Sequence, residues 1–178
     1  MLWSLAFDRI GVVVSDIYFL DPDPIPGQEG AERGVRLELR RFERDKLNGS
    51  IYSAVPIHIG KPIWRVDLLE SVSSEPGSLD RAHHHPRFHG WEPTQRVFVD
   101  ELSASPVQWV RDQFAQIDSV LDHAHYSGDE LETNDVESLR QAGPTVANMV
   151  EYLLDEIREG RGARPPAATG TEARESWL

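Results

Sequence analysis

The chain has 178 residues and no cysteine, with 30 acidic against 18 basic side chains and a net charge of −12. That length is one domain's worth. The missing thiols exclude disulfides, thiolate zinc sites and cysteine nucleophiles. No apolar run approaches the ~18 residues of a membrane span, and Met1-Leu2-Trp3-Ser4-Leu5 lacks the basic and apolar regions of a signal peptide, so a cytoplasmic protein is expected.

In chain order, Ile10–Leu20 is rich in β-branched and aromatic residues and predicts a buried strand. The strand ends at Asp21-Pro22-Asp23-Pro24-Ile25-Pro26-Gly27, which no regular element can absorb. Residues 34–40 alternate strictly, with Val35, Leu37 and Leu39 on one face and Arg36, Glu38 and Arg40 on the other. That pattern predicts a half-buried strand with a charged outer face. Asn48-Gly49 is a turn signal leading into a strand over residues 51–59. A two-residue turn at Gly60-Lys61 then opens a strand over 63–70. In that register His58, Arg65 and Asp67 share a face. Pro56 marks its strand as an edge or a bulge.

Residues 71–79 read as a polar loop, and residues 95–99 as a last strand. Ser105-Pro106 opens a helix in the favoured way, and Val110, Phe114, Ile117 and Leu121 form its apolar stripe. An acidic loop precedes a second helix start near Thr133, and Gly143-Pro144 breaks that segment. A third helix carries Val146, Met149, Val150, Leu153, Leu154 and Ile157. The expected fold is therefore α+β. A small, mostly antiparallel sheet (residues 10–100) is packed by helices (105–159) in a single domain of residues 1–159, followed by a flexible tail (160–178).

Between strands and helices lies Asp80-Arg81-Ala82-His83-His84-His85-Pro86-Arg87-Phe88-His89-Gly90-Trp91. It concentrates four of the seven histidines within seven residues. It also falls in the one basic part of the chain. Residues 33–98 hold eleven bases against eight acids, whereas residues 1–32 hold six acids against one base and residues 99–178 hold sixteen against six. The middle thus faces an anionic ligand, or the acidic helices merely keep the protein soluble.

Three uses of the histidines stand side by side. In acid–base chemistry on a phosphodiester, His83, His85 and His89 move protons, Arg65 and Arg87 hold phosphate, and Asp67 orients a partner; that chemistry needs no cofactor. In metal chemistry, His83 and His85 point the same way on an extended segment and chelate a divalent ion, with His89, His58 or Asp67 completing the set. In a structural role, the histidines satisfy backbone groups and Phe88 and Trp91 anchor the loop in the core. His123 and His125 fit a helix C-terminus, where the dipole favours them. No phosphate-binding glycine loop, nucleophile elbow or dinucleotide fingerprint occurs.

The order Arg65-x-Asp67, His83-His84-His85, Val97-Phe98 and then a helix with Phe114 resembles the TumE-type ribonuclease toxins of toxin–antitoxin systems, over about residues 35–115. The chain departs from that pattern at Leu68, in the longer loop before its histidines and in both extensions. The resemblance implies a ribonuclease-like hydrolase acting on RNA, with an antitoxin-like protein partner. The residue reading adds two alternatives, a metal-binding protein or metal-dependent enzyme, and a non-catalytic interaction module.

Overall fold

Alternation decides how the strands assemble. Along β3 (Ala31–Arg44) the buried residues Val35, Leu37 and Leu39 lie opposite Leu68, Val66 and Trp64 of β4 (Ile57–Ser71). Directly opposed residues share a face, so these six build one apolar surface. β2 (Ile10–Leu20) extends it with Val14 and Val12, and β1 (Leu2–Ala6) with Trp3 and Leu5. With the three-residue β5 (His83–His85) added beyond β4, the five strands stand in chain order, each antiparallel to its neighbour. The structure, a computed structural model, describes residues 1–24, 26–126, 131–132 and 134–165.

The helices cover that apolar surface: α1 (Asp100–Ala104), α2 (Pro106–Ala115), α3 (Ile117–His123) and α4 (Asp135–Arg158). Val110, Phe114, Ile117 and Leu121, the expected stripe, join Val146, Val150, Leu153 and Ile157 in one buried cluster with the sheet. The α+β class expected from the sequence is the one observed. No helix among the described residues is long and apolar enough to cross a membrane.

Several elements differ from expectation, for physical reasons. β4 is one continuous strand, because its partner is β3 and not the segment before it. Gly60 and Pro62 sit inside β4, tolerated by register shifts around Arg40, whose Nε donates to the Gly60 carbonyl at 2.9 Å. The connection between β3 and β4 takes up residues 45–56, including Asn48-Gly49. The strand expected at 95–99 shrinks to a single bridge, Val97 to His84. α4 runs through Gly143-Pro144. A proline inside a helix costs about 3 kcal/mol, and here the flanking buried residues hold the helix together. The glycine before it has its own reason, since a Cβ at Gly143 would lie 2.8 Å from Cβ of Phe114. Gly143→Ala is therefore expected to destabilise. Overpacking of about 1–3 kcal/mol outweighs the gain in helix propensity of roughly 1 kcal/mol, and a urea midpoint at or above that of the parent would show that α2 simply moves aside. In the expected tail, the Ala163 amide donates to Asp16 Oδ2 at 2.7 Å and Ala163 is buried. Residues 166–178, with the acidic loop of 127–130, lie outside the described residues.

Candidate metal centre

The face of the sheet turned away from the helices carries the polar residues of the alternating strands. Register places opposite charges directly across from one another: Arg36 faces Asp67, and Glu38 faces Arg65. One strand further out, His83 lies opposite Asp67 and His85 opposite Arg65. His84, between them, turns to the helical face, where its ring centroid lies 5.4 Å from that of Trp109. The charged face was expected to be solvated. Instead Glu38 and Asp67 are only 4% and 2% exposed. Residues 21–24 and 26–30, together with residues 86–96, fold over this face. Arg96 binds Asp21 and Gln28, Arg81 donates to the Gly27 carbonyl, and Phe88 lies over the Arg65 guanidinium, its centroid 4.9 Å away.

Asp67, His83 and His85 converge. Nε2 of His83 and of His85 lie 3.5 and 3.6 Å from the same carboxylate oxygen, Asp67 Oδ2. The three candidate ligand atoms all fall within 4.8 Å of one another, and all three residues are buried. Oδ1 of Asp67 accepts from Arg36 Nε at 2.7 Å, which fixes the carboxylate and leaves Oδ2 toward the histidines.

The other ring nitrogens settle the tautomers. Nδ1 of His83 lies 2.7 Å from the Arg81 carbonyl oxygen, and Nδ1 of His85 lies 2.6 Å from that of Thr94. A carbonyl oxygen can only accept, so each Nδ1 carries the proton and donates. In a neutral imidazole Nε2 is then a bare lone pair. The Thr94 carbonyl is held in place by a small hairpin, β6 (Phe88–His89) and β7 (Glu92–Pro93), closed by the Thr94 amide donating to the Arg87 carbonyl.

Electrostatics keep the rings neutral. Burial lowers the His83 pKa to about 4, outweighing the pull of Asp67 and the Arg81 carbonyl in the other direction. Burial lowers that of His85 as well, against Thr94 and Asp67, with Arg65 and Arg36 adding to the decrease. For Asp67 burial works upward, but Arg36, Arg65 and His83 together hold the carboxyl below its usual range. At neutral pH three lone-pair donors thus face one point with no proton between them.

Other sequence candidates stand apart. His89 is exposed on the outer hairpin, and Arg87 reaches the His125 ring at 3.4 Å. His58, expected beside Arg65 and Asp67, pairs in register with Glu43 and lies 3.8 Å from Asp45, because the hairpin that would have brought it near does not form. Trp91, expected as a core anchor, is 56% exposed at the hairpin tip, since strands of two residues hold its turn out in solvent. Arg65 is present but engaged, its Nε and Nη2 both 2.7 Å from Glu38 Oε1.

Sequence reasoning did not single out Arg36, Glu38 or Glu32. The signal for the first two was available. Arg36-x-Glu38 run antiparallel against Arg65-x-Asp67 pairs opposite charges at both positions. Glu32, 2% exposed and with Oε2 unpartnered, has its pKa raised by burial, and nothing in its sequence context foretells that.

These features define a β-sheet-borne centre of two histidines and one carboxylate in an α+β domain. Comparisons with protein-family models, with curated proteins and with solved structures find no match.

Proposed function

We propose that Asp67, His83 and His85 hold a divalent metal ion, and that the protein is a metal-dependent hydrolase. One observation carries this reading: two Nε2 lone pairs and a carboxylate oxygen meet, and the donor that reaches that oxygen is Arg36 Nη2 at a long 3.4 Å, not either ring. Left to themselves, three such atoms repel; a cation turns the same geometry into attraction. The separations of 3.5 and 3.6 Å suit the tetrahedral edge of about 3.3–3.4 Å that follows from metal–ligand bonds of about 2.0–2.1 Å. The imidazole pair points to zinc, cobalt, iron or nickel over magnesium or calcium. Carbonyl partners on both Nδ1 groups are the outer shell that metal-binding histidines typically have.

Three protein ligands leave a fourth position open, which is the arrangement of catalytic and not structural zinc sites. A metal there would act as a Lewis acid toward substrate and water. The protein's own groups orient the ligands, keep His83 and His85 unprotonated, and set the Phe98 ring against His83 and the Phe88 ring against His85. Neutral, buried histidines support a ligand role better than a proton shuttle, for which one ring would have to be protonated at working pH. RNA, which the resemblance above implies as substrate, is the first polymer to assay.

Tag-free protein loaded with zinc and then dialysed is expected to retain about one equivalent. His83→Ala and His85→Ala are each expected to lose it. Retention of zinc by both variants, or none in the parent by elemental analysis, would sink the proposal. RNA cleavage that appears with metal and disappears on chelation would add the substrate, whereas cleavage unaffected by chelation would favour the acid–base mechanism.

A further inference from the structure

The arginines around the centre outnumber the carboxylates. Arg36, Arg40 and Arg65 share this face with Glu38 and Asp67, and the two histidines add no charge. The neighbouring group of Arg81 and Arg96 with Glu32, Asp21 and Asp80 carries one net negative charge. A divalent ion at Asp67, His83 and His85 therefore leaves this face at three positive charges, about two once the neighbouring group is counted, with Glu38 and Asp67 almost fully buried. Charge of that density away from bulk water draws an anion.

One guanidinium on this face is held in a fixed orientation. Glu38 is saturated: Oε1 takes Nε and Nη2 of Arg65, and Oε2 takes Nη1 of Arg40 at 2.8 Å. That grip, with Phe88 against its face, locks the Arg65 guanidinium in one orientation. Among the described residues Nη1 of Arg65 has no hydrogen-bond partner, and the side chain is 16% exposed. Arg65 is the direct cross-strand neighbour of His85 on the same face, close enough for its charge to act on both His85 and Asp67. A fixed, partly exposed fork next to a metal suits a group with two oxygens, one for each.

We infer that the centre binds substrates through an oxyanion, a phosphoryl or carboxylate group, with one oxygen on the metal and a second on the guanidinium of Arg65. This rests on the metal reading above and adds the ligand class and a binding residue. Arg65 positions the anion, and Glu38 with Arg40 positions Arg65.

The experiment uses the full chain loaded with cobalt(II), whose visible absorption reports its coordination. Inorganic phosphate and acetate are titrated separately. Either anion shifting the spectrum saturably is the expected result. Tighter phosphate assigns phosphoryl substrates, and tighter acetate assigns carboxylates. Arg65→Met is expected to keep the anion-free spectrum and to weaken the preferred anion at least about tenfold, which is roughly 1.4 kcal/mol. Arg65→Lys, which keeps the charge but not the fork, is expected to fall between. If Arg65→Met disturbs the cobalt spectrum itself, Arg65→Lys carries the comparison. A normal cobalt spectrum that neither anion moves overturns the subsite alone. Equal anion affinity in the parent and the Arg65 variants overturns the role of Arg65. Failure of the parent to take up cobalt overturns the metal reading and the subsite with it.

Discussion

Asp67→Ala is expected to abolish metal retention and to destabilise the protein by about 3–5 kcal/mol, the cost of leaving a buried charge without its partner. Asp67 is 2% exposed, and Arg36 holds Oδ1 at 2.7 Å and Oδ2 at 3.4 Å. Removing the carboxylate leaves the Arg36 guanidinium, a quarter exposed, without its partner, and that remaining contact with water holds the loss toward the lower end of the range. The substitution also removes the only acidic ligand of the centre. The two consequences separate in the double variant Asp67→Ala/Arg36→Met, which removes both charges and fills part of the space with an apolar chain. Replacing a buried ion pair as a unit is close to neutral, so most of the stability should return while metal binding stays lost. Urea unfolding reads the first quantity and elemental analysis the second. A double variant as unstable as the single one would show that the cost lies in packing and not in charge. A single variant that still retains one equivalent of zinc would remove Asp67 from the ligand set.

The resulting picture explains which parts of the molecule were legible in the sequence. Local alternation correctly marked the apolar face of β3, composition marked β2 as a buried strand, and the 3.6-residue spacing marked the stripe of α2 and α3. Each of these signals lies within a single element. The partner of each strand is a different kind of fact. Gly60-Lys61-Pro62 has every local feature of a turn, yet β4 continues through it because its long pairing with β3 outweighs the local preference. That single difference removes His58 from the site. The alternation within His83-His84-His85 correctly separated His84 from the other two, and Arg65-x-Asp67 was rightly placed beside them. What stayed hidden was the covering of the charged face. Whether a strand's polar side meets water or a folded-over loop depends on residues 21–24, 26–30 and 86–96, whose Pro- and Gly-rich composition carries no register. Arg36 and Glu38 therefore read as solvent-facing until Arg81, Arg96 and Phe88 are seen above them.

Acid should unfold the metal-free protein earlier than its carboxylates alone would require. The His83 ring titrates near its ordinary value of 6.5 in the unfolded chain but only at about 4 in the native state. Between those values the unfolded chain binds a proton that the native protein refuses. The stability is fully present above pH 6.5, falls as the pH drops, and levels off below about 4. Over that window His83 alone removes about 3 kcal/mol, at roughly 1.36 kcal/mol for each unit. His85, lowered in the same direction, adds to the loss. Asp67 contributes in a different window. Its lowered value gives stability that is kept above the ordinary carboxylate range and lost only as the pH falls below it. The two windows separate experimentally. Urea midpoints at pH 7, 5.5 and 4.5 should fall steeply in the parent. The slope should flatten in His83→Asn, whose side chain can still donate to the Arg81 carbonyl but takes no proton. Zinc at a hundredfold excess over its dissociation constant should raise stability at pH 7 by about 2.7 kcal/mol. That gain should vanish toward pH 5, because protons compete for the same two nitrogens. Equal slopes in the parent and His83→Asn would mean that His83 takes up its proton in the native state as readily as in the unfolded chain, near 6.5. In that case the His83–Asp67 contact is an ion pair below that pH, and the three groups need no metal to hold them together.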